Sequence, residues 1–289
     1  MSVHQPGVVP PAWAPGSDQR FPDGRAWRVE IPSVESPAAL DAVIEESRAR
    51  GVRIDRISQG SGIGLLLDAE IRHMVQACRE DDIQLLLFIG PRGGFDIGAA
   101  VLASNGGALK GALRGARQLR QAIEEIERAA ELGVDGVLVA DIGLLSLLGE
   151  MRAGGELPST FVLKVSVLAG PANPASSALM ARLGADSLNL PADLSVAEMG
   201  EVRAATDVVI DLYIESPDDL GGFVRYGDIA ELVRVAAPLY LKFGLRNAPQ
   251  LYPAGGHLDG LVVAAARERV RRAEIGLEHL RRAGVGVRG

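Results

Sequence analysis

Between residues 134 and 198 the chain repeats one pattern three times: a short apolar run closed by a polar residue, then a helical segment. The runs are residues 137–141, 161–166 and 187–190. Each is too short for a buried helix and is rich in Val or Leu, which suits a strand covered on both faces. Strands that alternate with helices belong to a parallel sheet, because every connection has to cross back over one face of it.

The rest of the chain repeats that unit or closes it. Residues 1 to about 25 carry prolines 6, 10, 11, 15 and 22 and no periodicity, so an irregular N-terminal arm (1–25) is expected ahead of a barrel domain (26–289) that it does not help to fill. Residues 27–31 read as the first strand, and Ser36 before Pro37 reads as a helix cap with proline at the first helical position. Residues 53–58 and 84–89 are the second and third strands, each followed by a glycine-rich turn, and residues 91–115 form the longest insertion. Asp68 is expected to cap the second helix, Asn173 the fifth, and Ser195 with Glu198 to form a capping box on the sixth. Residues 208–214 and 238–243 complete eight strands; Ser216 and Pro217 are expected to open the seventh helix, and residues 261–282 form the last. Eight strand–helix units in strict alternation predict an α/β fold with a single closed (β/α)8 barrel of TIM type. An open doubly wound sheet is the rival, but it places a glycine fingerprint after its first strand, where this chain has IPSVESP.

Composition narrows the function. No apolar run approaches the roughly 20 residues that span a bilayer, and the N-terminus lacks a basic-then-apolar signal, so a cytoplasmic protein with no membrane partner is expected. A net charge of −7 argues against a nucleic-acid partner. The one basic run, RERVRR at 267–272, reads as a solvated helix face threaded with glutamates. Cys78 is the single cysteine, which leaves no internal disulfide and no site made of several thiolates. Trp13 and the prolines of the arm could pack on a second copy, giving a possible homodimer.

Barrels of this kind keep their chemistry at the C-terminal strand ends and in the loops that follow. There the chain carries Glu30, Arg56, Ser58, Gln59, Arg92, Asp141, Lys164, Ser166, Asn189, Asp211, Glu215, Lys242, Arg246 and Asn247. Any one of these could be a structural ion-pair member; polar ends on eight strands together favour a functional mouth. Only three lysines occur in the chain, and two of them lie on strands. Strand adjacency sets Lys164 beside Asp141, and Lys242 between Asp211 and Glu30. Neighbouring carboxylates favour the ammonium form, which suits holding a carboxylate, phosphate or enolate oxygen. A Schiff-base lysine needs the opposite shift. Lys164, Lys242, Asp141, Asp211 and Glu30 are therefore the catalytic candidates, with His257 as the one histidine placed to act as acid or base. Arg56, Gln59, Arg92, Asn189, Glu215, Arg246 and Asn247 are the substrate-binding candidates. Glu30, Asp141 and Asp211 read as lysine partners in preference to a magnesium site, since no histidine sits on a strand end. No metal and no cofactor is expected: the chain has no P-loop, GxSxG elbow, HExxH or GxGxxG pattern.

The segment VDGVLVADIGLLSLLGEM, with LGADSLNLPADLSVAEMGEV after it, resembles the collagenase-like peptidase family of unknown catalytic type. In that family a strand ending in an acid leads into a glycine and a leucine-rich helix, and a later strand is followed by a turn like PADLSVAEM. The resemblance covers about 70 residues and implies a barrel-like fold and a peptidase designation without an established nucleophile. Some members assist hydroxylation of RNA or quinone precursors through a cysteine-bound iron–sulfur cluster. This chain departs there: it has IESPDDLGGF where those members have a histidine–glycine turn and a series of cysteines. The leading expectation is an enzyme of this family, hydrolase or lyase, acting on a small carboxylate-bearing substrate by cofactor-independent acid–base chemistry. A phosphate-binding aldolase or isomerase using a barrel lysine is the second, and a non-catalytic binding subunit the third.

Overall fold

A computed structural model describes residues 15–90 and 110–286. The elements follow in order as β1 (Trp27–Pro32), α1 (Pro37–Arg50), β2 (Arg56–Ser58), α2 (Asp68–Glu80), β3 (Gln84–Ile89), α3 (Gly115–Glu131), β4 (Gly136–Val139) and α4 (Ile142–Gly154). The second half adds β5 (Val162–Val165), α5 (Pro174–Arg182), β6 (Ser187–Asn189), α6 (Val196–Ala205), β7 (Val209–Glu215), α7 (Ile229–Ala236), β8 (Leu239–Phe243) and α8 (Asp259–Arg282). Each strand pairs in parallel with the next, and β8 pairs with β1 from Trp27–Leu239 to Glu30–Lys242, so the sheet closes on itself. The chain is a (β/α)8 barrel of TIM type, and the open-sheet alternative is excluded.

The period of two along each strand sends alternate side chains to different places. Leu85, Leu87 and Ile89 of β3, Val137 and Val139 of β4, and Leu163 and Val165 of β5 join one continuous aliphatic layer between sheet and helices. The other set points to the barrel axis, where Phe88, Leu138 and Ala140 form a separate apolar patch. The remaining inward positions are largely polar. Close packing fixes the start of β4: a β-carbon at Gly136 would lie 2.2 Å from the Val162 carbonyl oxygen.

Local chemistry sets the helix starts. Ser36, Asn173 and Ser195 cap α1, α5 and α6 through their side chains, as expected. Three element starts differ from the sequence reading for reasons of local chemistry. Asp68 is the first residue of α2 and not its cap; the Glu70 carboxylate takes the Leu67 N–H at 2.7 Å. β2 begins only at Arg56, because the Asp55 side chain is drawn to the Val29 N–H at 2.9 Å and to Arg25 and Arg53. Pro217 opens a 3₁₀ turn at Asp218–Leu220, and α7 itself starts at Ile229.

The described part of the arm is tied to the barrel. The Ser17 N–H donates to the Arg234 carbonyl at 2.8 Å and its hydroxyl to the Ala237 carbonyl at 2.6 Å. Phe21 is buried edge-on against Tyr240, ring centres 5.2 Å apart, with the Arg28 guanidinium 4.3 Å from its own ring centre. The expectation that the arm up to Gly24 leaves the core untouched is therefore corrected at Phe21, which covers an inward aromatic that would otherwise meet water. No helix among the described residues is long and apolar enough to cross a membrane.

Candidate functional site at the barrel mouth

Five strands each bring one ionisable side chain to the axis: Glu30 from β1, Arg56 from β2, Lys164 from β5, Asp211 from β7 and Lys242 from β8, all buried. Lys164 lies between the two carboxylates, donating to Glu30 Oε2 and, at 3.1 Å, to Asp211 Oδ1. Arg56 donates to the same Asp211 oxygen at 2.8 Å and to Gln84 at 2.7 Å, with its guanidinium 3.6 Å from the centre of the Tyr240 ring. Glu30 Oε1 accepts from the Ser58 hydroxyl at 2.7 Å and lies 3.5 Å from Lys242 Nζ.

Three cations thus face two carboxylates away from solvent, and the surplus positive charge acts on every member. Burial pushes the Glu30 carboxyl up, but Lys164, Lys242 and Arg56 outweigh it and hold the group well below the usual carboxylate range. Burial pulls the Lys164 ammonium down; Asp211 and Glu30 oppose that, Lys242 and Arg56 add to it, and the group settles at about 8. The cluster keeps Glu30 ionised and makes the Lys164 ammonium easier to neutralise than an ordinary lysine.

Lys242 is the member that reaches open space. It forms part of the wall of a cavity of about 390 Å³ at the C-terminal ends of the strands, together with Ser58, Gln59, Ser166, Asn189 and Arg269. Its Nζ lies 4.2 Å from the centre of the Tyr213 ring. Phe88, Leu138 and Leu168 give one side of the cavity an apolar face. Asn189 presents a buried side-chain oxygen that has no hydrogen-bond partner among the described residues.

The structure redistributes the expected site. Lys164, Lys242, Asp211 and Glu30 come together; Asp141 does not join them. β4 ends two residues before Asp141, so this carboxylate caps α4 through the Leu144 N–H at 2.8 Å and holds the Leu113 N–H at 2.8 Å. The partner expected for Lys164 is thus replaced by Glu30 and Asp211, and the three acids weighed as a magnesium site do not converge. His257 is exposed in a 3₁₀ turn and is not on the cavity wall. Arg56 lies beneath the cavity as a member of the charge cluster, out of reach of a ligand.

Gln59 and Asn189 are on the wall, although the Gln59 amide also shapes its own loop through Gly62 at 3.1 and 3.2 Å. Glu215 clasps the loop after β8, accepting from Tyr226 Oη at 2.8 Å and from the Arg246 N–H at 2.9 Å. Arg246 and Asn247 are exposed outside the cavity, Arg246 beside Asp218 at 3.8 Å and Asn247 with its N–H on the same carboxylate. Arg92 lies outside the described residues. Sequence reasoning missed Arg269, which it assigned to the solvated face of the last helix; the signal that could have found it is its spacing of three or four residues from Ala265, Ala266 and Ala273 on the apolar stripe of that helix.

The cluster chemistry of the resembling family does not fit this chain. Cys78 is buried on α2 among aliphatic side chains, where burial pushes its thiol far up, and the loop after β7 contains no thiol.

Residues 111–216 match the model of peptidase family U32. This bears out the family resemblance and includes β4 to β7. The solved structure of the U32 peptidase Mk0906 aligns at 16% identity over 77% of this chain and 94% of that one, with a TM-score of 0.47. The YdjI aldolase of Escherichia coli aligns at 15% identity over 86% of this chain and 91% of its own, TM-score 0.53. A candidate fructose-1,6-biphosphate aldolase from Coccidioides immitis aligns at 16% over 90% and 93%, TM-score 0.56. At these identities the likeness to the two aldolases is one of fold. No curated protein matches the chain.

Proposed function

With the match to peptidase family U32 as premise, we propose that this chain is an enzyme acting on a small carboxylate-bearing substrate at the barrel mouth. Its chemistry is hydrolytic or lyase-type acid–base catalysis without a cofactor. The observation that carries this reading is the surplus cation: Lys242 alone of the five clustered side chains faces the cavity, and its nearest acid among the described residues is 3.5 Å away.

A buried cluster with one uncompensated positive charge attracts an anion to its open side. There the Lys242 ammonium can hold a substrate carboxylate, or steady negative charge that develops on an enolate oxygen. If Lys242 gives a proton to the substrate, Glu30, which lies against both lysines, offers a route for its replacement from Lys164. The Asn189 amide and the Ser166 hydroxyl lie on the same wall to orient the substrate.

Lys242→Met keeps the volume of the side chain and removes its charge. The variant is expected to stay folded by circular dichroism while affinity for small carboxylates, measured by calorimetry, falls about tenfold or more. Unchanged carboxylate affinity would sink the reading.

One observation favours a second reading. A lysine at about 8 has the lowered value that imine formation needs, and Lys164 has it. It is, however, fully buried between Glu30 and Asp211 and is not on the cavity wall. Borohydride trapping with carbonyl compounds separates the two: a covalent adduct on Lys164 would establish an aldolase-type enzyme.

A further inference from the structure

The basic run on α8 contains one arginine unlike its neighbours. Arg267 pairs with Glu45 and Glu46, and Arg271 and Arg272 pair with Glu268, as a solvated face should. Arg269 is 3% exposed and lines the mouth cavity. Its Nη1 donates to the Ser33 carbonyl at 3.3 Å, its Nε has no partner, and it forms no ion pair with any described residue. Glu35 contributes to the field at Arg269, but its carboxylate is engaged with the Gly60 and Ser61 N–H groups at 2.8 Å each and with the Ser61 hydroxyl.

A guanidinium carries five donors in a fixed fork and stays charged at any physiological pH. Here one donor is used within the described residues. Burial of a cation without a carboxylate is costly, and the site recovers that cost only when something else supplies the negative charge. The fork matches a carboxylate or a phosphate, both of which accept two parallel N–H bonds. Lys242 and Arg269 come from opposite sides of the barrel wall, one from a strand and one from the surrounding helical layer, and they border one cavity.

We infer that the substrate carries two anionic groups, and that Arg269 receives the second while Lys242 holds the first. Arg269 is then a specificity-determining residue, and the substrate class is a dicarboxylate or a phosphorylated carboxylate small enough for about 390 Å³. This inference rests on the role proposed above for Lys242.

Calorimetry on the full chain with propionate, succinate and 2-phosphoglycolate tests it. At least one dianion should bind about tenfold more tightly than propionate, and in Arg269→Gln the two should bind within about twofold of each other. The comparison within the parent protein needs no variant, so it stands even if Arg269→Gln does not fold. If propionate binds through Lys242 and neither dianion has an advantage, the role of Arg269 is overturned and that of Lys242 is kept. An advantage that survives intact in a folded Arg269→Gln protein also overturns it. If none of the three binds, the mouth is not an anion site and both readings fail together.

Discussion

Lys164 and Lys242 occupy equivalent inward positions on their strands, yet their surroundings give them different roles. Lys242 has open space on one side; Lys164 is enclosed by Glu30, Asp211, Lys242 and Arg56. Its value of about 8 in the folded chain lies below the ordinary 10.5, so between those pH values the unfolded chain binds more protons and stability rises with pH. Below pH 8 the penalty of the buried charge is present in full. Glu30 gives the same slope in a lower pH window: its depressed value contributes stability above the ordinary carboxylate range, lost as pH falls through the folded value. Loss of the Lys164 proton also cancels the surplus charge of the cluster. Affinity for a carboxylate should therefore fall on the order of tenfold between about pH 7 and pH 9, and Lys164→Met should abolish that dependence. A flat profile in the parent would show that Lys164 is not coupled to the mouth.

At the scale of elements, a boundary shift of two residues decides whether an acid is chemical or structural. Had β4 continued to Asp141, its side chain would have belonged to the strand pattern. The strand stops at Val139, and Asp141 instead satisfies N–H groups of Leu144 and Leu113. Asp141→Ala should then cost about 1–2 kcal/mol in denaturant unfolding, the usual price of a lost helix cap. Ligand affinity should change less than about twofold, since the carboxylate is not on the cavity wall. A large loss of affinity at unchanged stability would return Asp141 to the catalytic set. The α8 helix carries the same lesson for a single position: one helix supplies both a solvated row of arginines and the buried Arg269.

Across the whole molecule the two ends of the barrel are closed differently. Among the described residues the mouth holds a cavity bordered by Lys242, Arg269 and an apolar face, while the far end is covered by Phe21 against Tyr240, whose ring also supports Arg56. Phe21→Ala should destabilise the protein by about 3 kcal/mol, the lower part of the range for a buried phenylalanine. Carboxylate affinity should survive, because the charge cluster lies between Tyr240 and the cavity. A variant with parental stability would show that the arm only rests on the barrel.

How much of this was open to reading follows from the range of the forces involved. Strand burial on both faces, helix caps and the strand–helix period are set by neighbours within a few residues, so eight units and a closed barrel could be inferred from sequence. The inward direction of Glu30, Lys164, Asp211 and Lys242 was legible for the same reason, since their sequence neighbours are apolar and face the helices. The pairing was not. Adjacency along the sheet matched Lys164 with Asp141, but an eight-stranded barrel is narrow enough for side chains to meet across its axis, and Lys164 of β5 reaches Glu30 of β1. The helical period sets Arg269 on the apolar stripe with Ala265, Ala266 and Ala273, but a period assigns a residue to a face and says nothing of what lies beneath it, so the cavity it borders was not legible. Sequence by itself determined the barrel and the charges that point into it; tertiary closure decided which acid meets which cation, and which cations are left for a ligand, because those contacts join residues of different elements, up to 236 positions apart.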